Sequence, residues 1–193
     1  MAQFFENLSR IQLLIESQNC MSNNENDKAI HLLKEAYLKS STPNEIYPIL
    51  HLIGVCFLNQ ENYLDANHYF LEALEVQFNV DKEMLRTTYY CLGVSYYYLK
   101  DFNNAIIFLT KYIDINPDLM QAFMLRGNSY QKTGNYQGAI TDLEIYFGKD
   151  FKIEEIEEIE DNIKPVLALS NSYVQTNNFV DGIKLLIKAS KIA

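Results

Sequence analysis

The feature that most constrains this chain of 193 residues is that it repeats itself. The pattern runs apolar or aromatic residue, Leu-small pair, aromatic residue, then a second small residue followed four positions later by a large apolar one. It reads Tyr89, Leu92, Gly93, Tyr96, Ala105 and Leu109, with Pro117 closing the unit. It reads again at Phe123, Gly127, Tyr130, Ala139 and Leu143, with Arg126 in the place of Leu, and upstream at Leu50, Ile53, Gly54, Phe57, Ala66 and Phe70. Looser copies lie at Val166, Leu169, Ser170, Tyr173, Gly182 and Leu186, and at Leu13, Ser17, Cys20, Ala29 and Leu33. The first small residues, Ser17, Gly54, Gly93, Gly127 and Ser170, are separated by 37, 39, 34 and 43 positions. A chain that repeats at this length builds one supersecondary unit many times over, each burying its apolar face on its neighbours.

Each unit carries two apolar stripes at helical spacing, which predicts a pair of helices. In the third unit, Tyr89, Leu92, Gly93 and Tyr96 share one face, and Ala105, Ile106, Leu109, Tyr112 and Ile113 share another. Gly93 and Ala105 are small where the two helices would press together, and a larger residue there would overpack the contact. "NPDL" predicts Asn116 as an N-cap with Pro117 at the first helical position, and "TGNY" predicts a stop at Gly134 and a restart near Tyr136. The longer spacings locate insertions at "FNVDKEML" (78–85), predicted to lengthen helices, and at "KIEEIEEIEDNIK" (152–164). In the latter Ile153, Ile156, Ile159 and Ile163 make a narrow apolar seam, predicting a short extra helix or an extended one with an otherwise solvated acidic face.

With these residues and a period near about 34, the chain resembles the tetratricopeptide-repeat family over nearly its whole length. The resemblance implies an all-α fold, a right-handed α-solenoid of about five helix–turn–helix repeats. They form a single array over 1–193, with repeats near 10–43, 47–80, 86–119, 120–153 and 163–193. It also implies that first helices line a concave, ligand-binding face.

That implication bears on the crowded tyrosines of "YYCLGVSYYYLKDF". Successive helical residues point about 100° apart, so Tyr96, Tyr97 and Tyr98 cannot share a role. Tyr96 matches the core position, whereas Tyr90, Val94, Tyr97 and Tyr98 form a second stripe that the resemblance turns toward the groove. The same register brings His51, Val55, Leu58 and Asn59 before them, Met124, Asn128, Gln131 and Lys132 after them, and then Leu167, Asn171, Val174 and Gln175. The expected groove is aromatic at its centre and amide-rich toward the C-terminus. Burial of Tyr97 or Tyr98 by a neighbouring repeat is the competing reading. Family members that grip acidic C-terminal tails present a set of Lys, Asn and Arg residues. His51, Val55, Cys91, Gln121 and Leu125 stand at those places, so no carboxylate clamp is expected.

Composition removes other classes. The net charge of −9 and the absence of a basic run argue against nucleic acid and anionic membranes. No apolar run approaches the length of a spanning helix, and the N-terminus shows no secretory signal. Cys20, Cys56 and Cys91 are odd in number and lack zinc-site spacing with each other or with His31, His51 and His68, which predicts reduced thiols, a cytoplasmic location, no metal and no cofactor. No phosphate loop, nucleophile elbow or zincin motif is present, so no catalytic residue is assigned. The expected function is a non-catalytic protein–protein interaction scaffold that binds a peptide or protein segment in its tyrosine-rich groove. The alternatives are a chaperone for a hydrophobic, possibly secreted client and an accessory subunit of a larger complex. Phe4 and Phe5 are expected to fold over the first unit. Ile183, Leu186, Ile187 and Ile192 give the last helix an apolar stripe through which copies could associate.

Overall fold

The computed structural model describes residues 8–148 and 159–190. Among them the chain is all-α: α1 (Arg10–Ser22), α2 (Asn26–Leu38), α3 (Pro43–Asn59), α4 (Tyr63–Glu75), α5 (Lys82–Tyr98), α6 (Phe102–Ile115), α7 (Met120–Lys132), α8 (Tyr136–Phe147), α9 (Ile159–Gln175) and α10 (Phe179–Ala189). The chain divides into two compact units, Met1–Leu99 with α1–α5 and Lys100–Ala193 with α6–α10. Phe4, Phe5, Ile153, Ile156 and Ile192 lie outside the described residues.

The repetition seen in the sequence is also written into the backbone. Asn24, Glu61, Lys100, Gly134 and Asn177 all have positive φ, between 58° and 82°, and each lies in the turn after an odd-numbered helix. Gly134 takes this left-handed conformation without steric cost, and Asn tolerates it, whereas Glu61 and Lys100 do so with a Cβ in the way. The next residue often closes the turn by donating its N–H five positions back, as Glu25 does to Cys20 O (2.8 Å), Asn62 to Phe57 O (2.9 Å), Asn135 to Tyr130 O (2.9 Å) and Asn178 to Tyr173 O (2.8 Å). The Asn62, Asp101 and Asn135 side chains then cap the helices that follow.

In the first unit Leu13, Ala29, Leu33, Ile49, Ile53 and Cys56 form one buried cluster. In the second, Leu143, Val166, Leu169, Tyr173 and Leu185 form another, and Ile163 from the end of the acidic insertion packs on it. The helices meet closely where the sequence places small residues. A Cβ on Gly54 would stand 2.6 Å from the Phe70 ring, one on Gly127 2.9 Å from Leu143, and one on Gly182 2.7 Å from Val174.

Two expectations need correction. Asn116 and Pro117 do not open α7: Asn116 ends α6 in an extended conformation, and α7 begins only at Met120. A residue before proline is pushed out of the helical region. The short loop is then held by Asp118, which accepts from Asn116 Nδ2 (2.8 Å) and the Tyr112 hydroxyl (3.3 Å). Leu186 does not repeat the buried role of Leu109 and Leu143: Leu185 is fully buried and Leu186 is 45% exposed. No described helix covers that side of α10, where Phe179, Val180, Ile183 and Ile187 are exposed as well.

Arg126, the departure from the Leu pattern, has a partner. Its Nε and Nη2 donate to Asp142 Oδ2 and Oδ1 at 2.7 and 2.8 Å, and Nη1 donates to Thr110 Oγ1 at 3.2 Å. The guanidinium also lies against the rings of Phe123 and Tyr130. Asp142 is almost wholly buried. Removing one member of such a pair strands the other charge. Arg126→Ala is expected to lower unfolding stability by about 3–5 kcal/mol, while a double Arg126→Leu, Asp142→Leu variant recovers most of the loss. Urea denaturation of both variants tests this, and equal stability of Arg126→Ala and the parent chain would refute it.

Candidate functional site

In the first unit the tyrosine-bearing helix α5 lies beside α3, and a buried polar link joins them. Thr88 Oγ1 donates to Met84 O at 3.0 Å and accepts from the Tyr47 hydroxyl at 2.8 Å. His51 Nδ1 stands 2.9 Å from the same oxygen. With the threonine proton given to Met84 O, the Nδ1–H tautomer of the neutral imidazole fits this contact. Its ring leans on Phe70 at a centroid distance of 5.5 Å. His51 is 8% exposed, so the side chain that sequence register assigned to the groove goes into packing between helices. Burial holds its pKa down, from 6.5 to about 4.

Val55, Leu58, Tyr90, Val94 and Tyr97 are half-buried, and Tyr98 is 55% exposed. Tyr98 is not isolated: its ring stacks on Tyr63 at 4.9 Å with an interplanar angle of 10°, and Tyr97 meets it edge-on at 5.6 Å. Tyr63 was not singled out from sequence. The signal was available, since an aromatic follows the turn Asn or Asp at Tyr63, Phe102, Tyr136 and Phe179. In the second unit Met124 is half-buried against the core, Asn128 is 6% exposed, Gln131 is half-buried, and Lys132 and Asn171 are exposed. Gln131 Nε2 donates to Asn171 Oδ1 at 3.3 Å. Asn128 Oδ1 has no hydrogen-bond partner.

Cys56 and Cys91 are buried, and desolvation pushes their thiols up to about 11 and about 12, far from thiolate reactivity at neutral pH. Among the described residues no cluster of His, Cys, Asp and Glu could hold a metal ion, and no helix is long and apolar enough to cross a membrane.

Residues 87–119, which run from the tyrosine stripe of α5 through α6, match the tetratricopeptide-repeat family. Solved tetratricopeptide structures superimpose on nearly the whole chain. YrrB, described as a TPR protein with an unusual peptide-binding site, matches at 18% identity and a TM-score of 0.74, covering 95% of this chain and 86% of its own. The chain has the tetratricopeptide-repeat fold. MamA of AMB-1 matches at 14% identity and TM-score 0.72 over 94% of this chain and 90% of its own, and MamA from Desulfovibrio magneticus RS-1 at 18% and 0.73 over 94% and 93%. No curated protein sequence matches the chain. Identity this low speaks for the tetratricopeptide fold alone.

His51 gives the chain a dependence on pH with a definite sign. A base whose pKa is lower folded than unfolded takes up its proton more readily in the unfolded chain. Its stabilising neutral state is complete above pH 6.5 and is lost as pH falls toward about 4. The span corresponds to about 3 kcal/mol. His51→Gln, which can still donate to Thr88, is expected to flatten the stability–pH curve by that amount between those limits. Parallel curves for the two proteins would assign the acid sensitivity elsewhere.

Proposed function

We propose that this protein is a non-catalytic interaction scaffold, which binds a peptide or protein segment on the first-helix face of its N-terminal unit. The observation that carries this reading is the Tyr63–Tyr98–Tyr97 cluster, stacked and edge-paired yet leaving Tyr98 more than half open to solvent. Rings fixed in this way have little freedom left to lose on contact, and each offers a large flat area with a hydroxyl at its tip. Tyr90, Val94, Val55 and Leu58 extend the surface with uncharged side chains, in a chain whose net charge is −9. A partner segment without strong charge suits such a wall. The peptide site named for YrrB supports this reading by analogy.

Tyr97→Ala removes the edge contact and part of the wall while leaving the helix core intact. Captured partners should bind about tenfold or more weakly, in line with a central aromatic anchor worth about 2 kcal/mol, at an unchanged thermal midpoint. Undiminished capture would move the site elsewhere.

A second reading rests on α10, whose Ile183, Leu186 and Ile187 are exposed along one face. Contiguous apolar surface of this kind marks association sites. Copies of the chain are proposed to associate through it. Light scattering over a dilution series should give a mass that falls with concentration and becomes constant for Ile183→Lys, Ile187→Lys. A constant monomer mass for the parent chain would remove this reading.

A further inference from the structure

The insertion at 78–85 makes a second feature, separate from the tyrosines. The loop before α5 and the first turns of α3 and α5 form a half-open pocket of about 180 Å³, lined by Asn44, Tyr47, Pro48, Asn79, Val80, Asp81 and Met84. Its walls are mostly apolar: the Pro48 ring, Val80, Met84 and the body of Tyr47, whose hydroxyl is already committed to Thr88.

Its polar groups are the Asn44 and Asn79 amides, which carry donors as well as acceptors, and the Asp81 carboxylate, which only accepts. Asp81 caps α5 with a single oxygen: Oδ2 accepts from Glu83 N at 3.0 Å and Met84 N at 3.3 Å. Oδ1 takes part in neither bond. Pro48 lies inside α3 and has no N–H, so the carbonyl of Asn44, four residues back, lacks its helical donor. The lining thus contains one carboxylate and no cationic side chain.

We propose that this cavity receives one lysine or arginine side chain of a partner protein. Such a side chain has the same division as the cavity: an apolar stem ending in a charged group that carries several donors and no acceptor. The stem lies along Pro48, Val80 and Met84. The head donates to Asp81 Oδ1 and the Asn44 carbonyl, and the match of charge sign selects it over a neutral aliphatic group. The site does not depend on the tyrosine face, and either could fail without the other.

Backbone amide shifts of the full chain, titrated with Nα-acetyl-lysine methylamide and its arginine counterpart at millimolar concentrations, test the assignment. Both probes should move the amides of Asn79, Val80, Asp81 and Met84. The corresponding norleucine probe, which keeps the stem and lacks the head, should not. Asp81→Asn retains an N-cap oxygen and removes the charge, and is expected to weaken the cationic probes by about threefold, the scale of an exposed ion pair. Pro48→Ala returns an N–H to Asn44 and should weaken them as well. Equal shifts with norleucine, or no shift at these residues with any probe, would overturn the proposal. Unchanged affinity in Asp81→Asn would do the same.

Discussion

The structure depends on pairs of helices meeting with almost nothing between them. Gly54 faces the Phe70 ring, Gly127 faces Leu143, and Gly182 faces Val174, each at a distance that even a methyl group would violate. Close approach of this kind lets the large residues opposite interlock at the density of a protein interior, so much of the apolar surface is consumed within these pairs. Stripes of first-helix residues outside that contact are left over, and it is these that carry the tyrosines.

The polar side chains do different work in the two units. In the first, Thr88 gathers Tyr47 and His51 and joins adjacent first helices from within. In the second, Arg126 stands where the repeat elsewhere uses Leu or Ile, and two parallel charge-assisted bonds to Asp142 replace an apolar contact. Buried polar contacts of this sort demand one geometry, whereas a greasy contact tolerates several. Both therefore fix the relation between helices rather than merely adding cohesion.

Most of the fold was legible because the information was periodic. The spacing of Ser17, Gly54, Gly93, Gly127 and Ser170 recurs, interval for interval, in the left-handed residues at 24, 61, 100, 134 and 177. What escaped was set by partners far apart in sequence or by local competition. Arg126 was visible as an exception, but Asp142 looked like any surface acid until α8, which carries it, packed against α7. His51 occupied a groove register, yet a hydroxyl on the next first helix claimed it. Pro117 resembled a helix opener, and its constraint on Asn116 ended the preceding helix instead. Tyr98 was separated from Tyr96 by angle, while its stacking on Tyr63 required knowing that the start of one second helix lies beside the end of the following first helix.

The left-handed turns also bear on how the chain finds its shape. Each turn closes over a handful of residues, and within each unit the helices find their principal contacts with the helices next in sequence. Contacts so near along the chain keep the loop-closure entropy of early structure small. Folding of such a molecule has no obligatory starting point: any hairpin can serve as the nucleus, and order spreads outward to its neighbours as it would along a one-dimensional lattice.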